Sequence, residues 1–190
     1  MNADRWCGFS LRESLVAGFC ATFIVLSELF LRIPLHIPGH RVLPLAFFLL
    51  LGRACLKPKW SASAISLIAG LVSLCLGREE FLQIFKYLAA GGMIDTVALL
   101  LPAVTRSLPL GALAGALVGA AWMPAALLVD RLSGMDLGMA LRHTLLKLAS
   151  AALFGAVGGA MAPAVARRLQ ASGVVPARCA ATPRSEPPSA

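Results

Sequence analysis

The sequence predicts an all-α polytopic membrane protein, a compact bundle of about six transmembrane helices. Three observations carry this. Of 190 residues 58% are apolar and only 14% charged, and the mean hydropathy is +0.81, far from the range of domains that fold in water. Six apolar runs also follow one another between charged or proline-rich breaks, at about 13–33, 42–56, 61–77, 85–102, 108–129 and 141–166. A span needs roughly 20 residues, so the length holds six short spans and no large water-soluble domain. The net charge of +8 would suggest nucleic acid in a soluble chain, but here Lys and Arg punctuate the apolar runs, so no nucleic acid partner is expected.

The first run follows Arg5 and Arg12 like a signal peptide, yet it is long, holds Glu28 and reaches Arg32 without a small-x-small cleavage site, so it is expected to remain as a first span. The segment 34–41 (PLHIPGHR) reads as a turn, because Pro34, Pro38 and Gly39 bar a helix there. The second run is short enough to span only if tilted or set in a thin region. KPKW at 57–60 leads to the third run, REEFLQI at 78–84 to the fourth, AVTRS at 103–107 to the fifth and DRLSGMDLGMA at 130–140 to the sixth. The division expected is a six-helix transmembrane domain over 1–166 and a disordered cytoplasmic tail over 167–190, rich in Pro, Ser, Arg and Ala.

An even number of spans puts both termini on one side. Arg5, Arg12, Arg53, Lys57, Lys59, Arg106 and the tail arginines give that side about ten basic residues against about seven opposite, so both termini are expected in the cytoplasm and the chain in the inner (plasma) membrane. The opposite side is unusually polar, with Glu28, His36, His40, Glu79, Glu80, Asp130, Asp136 and His143. Such a cap suits a small-molecule site opening outward. The five cysteines show no Cys-x-x-Cys or Cys/His spacing, so they read as small apolar fillers and no metal site is expected from them.

Ala17-x3-Ala21, Gly111-x3-Gly115-x3-Gly119 and Gly155-x3-Gly159 place small residues one turn apart, which lets helix backbones approach in lipid. With six short helices, a long polar first connection from Ile33 to Leu43, and the Lys86-Tyr87…Asp95 stretch, the chain resembles the substrate-binding S component of energy-coupling factor (ECF) transporters over roughly residues 10–166. The resemblance implies a non-enzymatic membrane subunit that captures a micronutrient, a vitamin or related cofactor precursor, and hands it to a transmembrane coupling protein driven by two ATPase subunits. It also implies that Ala17 and Ala21 contact the coupling protein. The nickel and cobalt members bind metal through a Met-His start, whereas this chain begins Met1-Asn2, so that route to a metal substrate is not implied.

Candidate substrate-binding residues follow from the cost of charge at depth. Asp95 lies well inside an apolar run and must have a partner or meet water. It shares a helix face with Leu88, Gly92 and Leu99 and lies opposite Lys86. His36 and His40 suit a lid over substrate, a wet loop or, less readily, metal ligation; Arg41 suits a carboxylate or phosphate, or a headgroup anchor. Lys86 and Tyr87 fall near the outer end, where snorkelling and an aromatic belt also account for them. Trp122 continues the glycine stripe and suits the wall of a pocket, core packing or an interface belt. His143 and Lys147, with Ser150 and Phe154, descend along one face of the sixth helix. No nucleophile and base spacing, H-E-x-x-H or phosphate loop occurs, so no catalytic residue and no cofactor are expected. The competing readings are a structural or assembly protein of the envelope and a metal-ion uptake subunit.

Overall fold

A computed structural model describes residues 5–6, 9–30, 39–77, 82–121, 127, 130–131 and 134–173. Arg5–Trp6 and Phe9–Ser10 form a two-stranded antiparallel pair, β1 and β2, with Arg5 opposite Ser10. Ser10 then opens α1 (Leu11–Phe30): its hydroxyl accepts from the Glu13 amide at 3.3 Å, and a Glu13 carboxylate oxygen accepts from the Ser10 amide at 2.9 Å. This is the reciprocal cap that satisfies amides with no partner within the helix. The helix begins slightly before the expected 13, and residues 31–33 lie outside the described residues.

The other described helices are α2 (Val42–Cys55), α3 (Ser61–Cys75), α4 (Leu82–Leu100), α5 (Leu108–Ala120) and α6 (Leu137–Ala171), with a 3-10 turn at Pro102–Thr105 between α4 and α5. Alternate helices run in opposite directions. Arg12 of α1 donates to the Gly173 carbonyl just beyond α6 at 3.1 Å, and the Lys57 amide donates to Glu13 at 3.4 Å. The start of α1, the α2–α3 connection and the end of α6 therefore share one end of the bundle, here the terminal end. Gly39, which rests on Ser150 and Ala151, and Asp130, which meets His143 and Lys147, lie toward the other, distal end.

α6 differs most from expectation. Asp136 caps it by accepting from the Gly138 amide at 3.1 Å, so it starts before 141. It also continues through Arg167 and Arg168 to Ala171, so the first residues assigned to a disordered tail are helical. It stops where Gly173, at φ 72°, takes up the left-handed conformation and donates to the Gln170 carbonyl at 3.2 Å. Residues 174–190 lie outside the described residues.

α2 is enclosed by its neighbours, which is why a helix apolar on all sides is stable there. It packs on α6 where Gly158 meets the Leu43 carbonyl, and α5 packs on α6 through the glycine stripes. A Cβ added at Gly111, Gly115, Gly155 or Gly159 would meet a facing backbone oxygen at under 3.0 Å. The stripes are thus internal seams. α3 and α4 close similarly at Gly91, which faces Ser66 and the Ala62 carbonyl.

The outside of the bundle is the apolar side. Leu15, Phe19, Leu26 and Phe30 line one face of α1, and Leu146, Leu153, Val157 and Met161 line one face of α6, all exposed. The interior combines Ala, Gly and Ser at the helix contacts with Leu, Ile and Val side chains such as Ile24, Leu45, Leu49, Leu50, Leu56 and Ile65. α1 and α6 are each long and apolar enough to cross a membrane.

Candidate substrate-binding site

At the distal end, the first turns of α6 present His143, Thr144 and Lys147 to Asp130. His143 Nδ1 lies 3.0 Å from Asp130 Oδ2, the Thr144 hydroxyl donates to the same oxygen at 3.2 Å, and Lys147 Nζ lies 3.6 Å from Oδ1. Spacing brings them together: 143, 144 and 147 fall on adjoining lines of one helical surface. Asp130 is buried, whereas the His143 and Lys147 side chains are 43% and 40% exposed. The hydrogen bond from His143, with Lys147 and Thr144 adding to it, holds the Asp130 carboxyl below the ordinary carboxylate range, although desolvation opposes the shift. The ionised carboxylate fixes the imidazole through Nδ1 and leaves Nε2 for another contact.

The α1–α2 turn rests close by. Gly39, at φ 87°, seats the turn so tightly on α6 that a Cβ there would stand 2.6 Å from the Ala151 amide nitrogen and 2.9 Å from the Ser150 hydroxyl oxygen. Only glycine meets both demands, the conformation and the approach. Ser150 donates to the Lys147 carbonyl at 2.9 Å, so the turn carrying half-buried His40 and exposed Arg41 sits a single helical turn from Lys147. His36 lies outside the described residues, as does Trp122.

A second polar pair joins α1 to α4 toward the same end. The Tyr87 hydroxyl donates to Glu28 Oε2, and Tyr87 is 2% exposed. Tyr87 is therefore an interior residue, and the aromatic-belt alternative does not hold. Lys86 beside it is half-buried. Glu28 shares the inward face of α1 with Ala17 and Ala21.

Two expectations are corrected by position. Asp95 is not part of the distal cluster: near the terminal end it accepts from the amides of Ala62 at 3.2 Å and Ser63 at 2.8 Å and from the Ser63 hydroxyl at 2.8 Å, and it pairs with Arg53 Nε at 3.2 Å. A carboxylate from α4 thereby caps the first turn of α3, where the residue before the helix, Trp60, supplies no side-chain cap. Ala17 and Ala21 are 3% and 1% exposed, within the core where α1 meets α2 and α3. The face expected to receive a partner is filled by the chain itself, because methyl-sized side chains admit neighbouring helices of the same bundle.

Sequence reasoning also missed residues. Arg53, counted in the sequence only among the basic residues of the terminal side, lies inside α2, 4% exposed; its position at the end of an apolar run is the available signal. In the sequence Asp130 stands only among the polar residues of the outer side, and nothing in its spacing from His143 identifies the pair. Among the described residues no group of three or more His, Cys, Asp or Glu is placed to hold a metal ion.

The fold so defined is a six-helix bundle with small-residue seams and a polar distal end. The crystal structure of an S-component of an ECF transporter superposes on this chain with a TM-score of 0.65, covering 87% of this chain and 88% of that one at 22% sequence identity. No family model and no curated protein matches the chain. The likeness is one of fold, and it extends over nearly all of both chains.

Proposed function

We propose that this chain is the membrane-embedded substrate-binding subunit of an ECF-type importer, which captures a small micronutrient from the outer side and catalyses no reaction itself. The observation that carries the reading is the likeness of fold to an S-component across most of both chains. Two further features support it. Leu, Phe, Val and Met side chains cover the outer surface of α1 and α6 while Ala, Gly and Ser fill the seams, a distribution that suits a lipid solvent and would be costly in water. The distal end gathers Asp130, His143 and Lys147 beside His40 and Arg41, which gives a small polar ligand hydrogen-bond donors with directed geometry.

On this reading the terminal end is cytoplasmic and the distal end faces outward. Asp130 acts as a positioning residue: it holds His143 and Lys147 so that their remaining donors meet the substrate. Glu28 and Tyr87 brace α1 against α4 beneath that mouth. Energy comes from a transmembrane coupling protein and two ATPase subunits. The substrate proposed is a vitamin or related cofactor precursor.

Purification of the native chain without added ligand, followed by mass spectrometry of the small molecules it retains, tests the reading. A micronutrient should be recovered with wild type and depleted from Lys147→Ala and His143→Ala proteins of unchanged helicity. Equal recovery from all three would remove the distal cluster from the site.

A further inference from the structure

The terminal end carries a charge imbalance that the substrate site does not use. Among the described residues six cations are exposed there: Arg12 on α1, Lys57 and Lys59 between α2 and α3, Arg106 between α4 and α5, and Arg167 and Arg168 on α6. The two described acids at this end are engaged within the chain. Glu13 accepts from the amides of Ser10 and Lys57, and buried Asp95 is taken by Arg53 and the start of α3. Glu13 also faces the Lys57 charge, so among the described residues one carboxylate stands against the exposed cations and most of them are left without an acidic neighbour to balance them.

Their arrangement specifies the kind of partner. α2 is enclosed, so the ends of the surrounding helices form a rim, and the cations are spread along it on four separate segments. Large apolar side chains stand next to them in the chain: Leu11 beside Arg12, Trp60 beside Lys59, and Leu100, Leu101 and Leu108 flanking Arg106, exposed by 45% to 77%. Cation and apolar surface in register is the pattern a phospholipid matches, with its phosphodiester directly joined to acyl chains.

We infer that the terminal rim binds the headgroups of anionic phospholipids, with Lys57, Lys59, Arg167 and Arg168 as the principal phosphodiester contacts and Trp60 at the acyl boundary. This rests on the membrane-embedded part of the proposed function and is independent of the substrate. The rim draws anionic lipid around the bundle and fixes its depth and tilt at that leaflet.

The test uses the full chain, delipidated in a neutral detergent and titrated with phosphatidylglycerol, phosphatidylcholine or inorganic phosphate. Retained lipid is read by native mass spectrometry and stability by the thermal midpoint. Phosphatidylglycerol should be retained in preference to phosphatidylcholine and raise the midpoint, while inorganic phosphate does neither. The preference should weaken as salt is raised to about 0.5 M. Lys57→Gln, Lys59→Gln, Arg167→Gln and Arg168→Gln combined should lower the preference by at least about tenfold, whereas Lys57→Arg with Lys59→Arg should keep it. Equal retention of the two lipids by wild type would overturn the inference while leaving membrane embedding intact, and so would an unchanged preference in the fourfold variant. An equal response to inorganic phosphate would reassign the rim to a soluble anion. A chain that does not enter vesicles of either lipid would overturn both readings.

Discussion

Asp95 and Asp130 are both carboxylates in an apolar chain, and their surroundings give them different tasks. Asp95 lies behind Arg53 and the amides of Ala62 and Ser63, with each oxygen accepting from the chain. Removing one member of a buried ion pair strands the other, which costs about 3–5 kcal/mol. Asp95→Ala should therefore destabilise the bundle by about that amount in denaturant titrations, and Asp95→Ala with Arg53→Leu should recover part of it. Substrate binding by the folded fraction should be unchanged, which separates Asp95 from the site. For Asp130 the pH dependence has a definite sign. Its folded pKa is depressed below the ordinary 3.8, chiefly by the His143 hydrogen bond, so the carboxylate contributes stability above the ordinary value and loses it as pH falls through the depressed one. Thermal midpoints should drop on acidification below pH about 4 in wild type, and Asp130→Asn should flatten that dependence.

At the level of elements, the helices meet through missing side chains. Gly115 and Gly155 face one another's carbonyl oxygens, and a Cβ on either would come under 3.0 Å. Gly115→Val should force α5 from α6 and lower stability by about 1–3 kcal/mol, whereas Leu153→Ala on the exposed face of α6 should change it little; detergent unfolding of the two variants reads the contrast. The same reasoning revises what Ala17 and Ala21 report. With both buried, replacing them by Leu should lower the thermal midpoint of the isolated chain, so any loss of assembly with a coupling protein would follow from overpacking and would not map a docking face. α6 has 35 residues, or roughly 52 Å at 1.5 Å per residue, and exceeds the hydrocarbon thickness of about 30 Å. Its capped first turns can thus carry His143 and Lys147 into the interface while its later turns pack against α5.

For the whole molecule, sidedness links the proposed substrate site to the proposed lipid rim. With the terminal end in the cytoplasm, a cysteine in place of exposed Arg41 should react with an impermeant maleimide from outside intact cells, and one in place of Lys59 only after permeabilisation. The reverse pattern would invert the proposed topology. The fold was legible because hydropathy is written residue by residue: the runs beginning at 42, 61 and 108 begin as helices at those positions, and Gly39 marks the turn before Val42. His143 and Lys147 were legible as one face of a helix, since that relation depends only on local periodicity. Their meeting with Asp130, the burial of Arg53 against Asp95 and the inward turn of Ala17 and Ala21 were decided by the tertiary structure alone. Each depends on which helix lies beside which, and in an apolar chain that order follows from backbone approach at small residues and from the need of every buried charge to find a partner, neither of which has a period in the sequence.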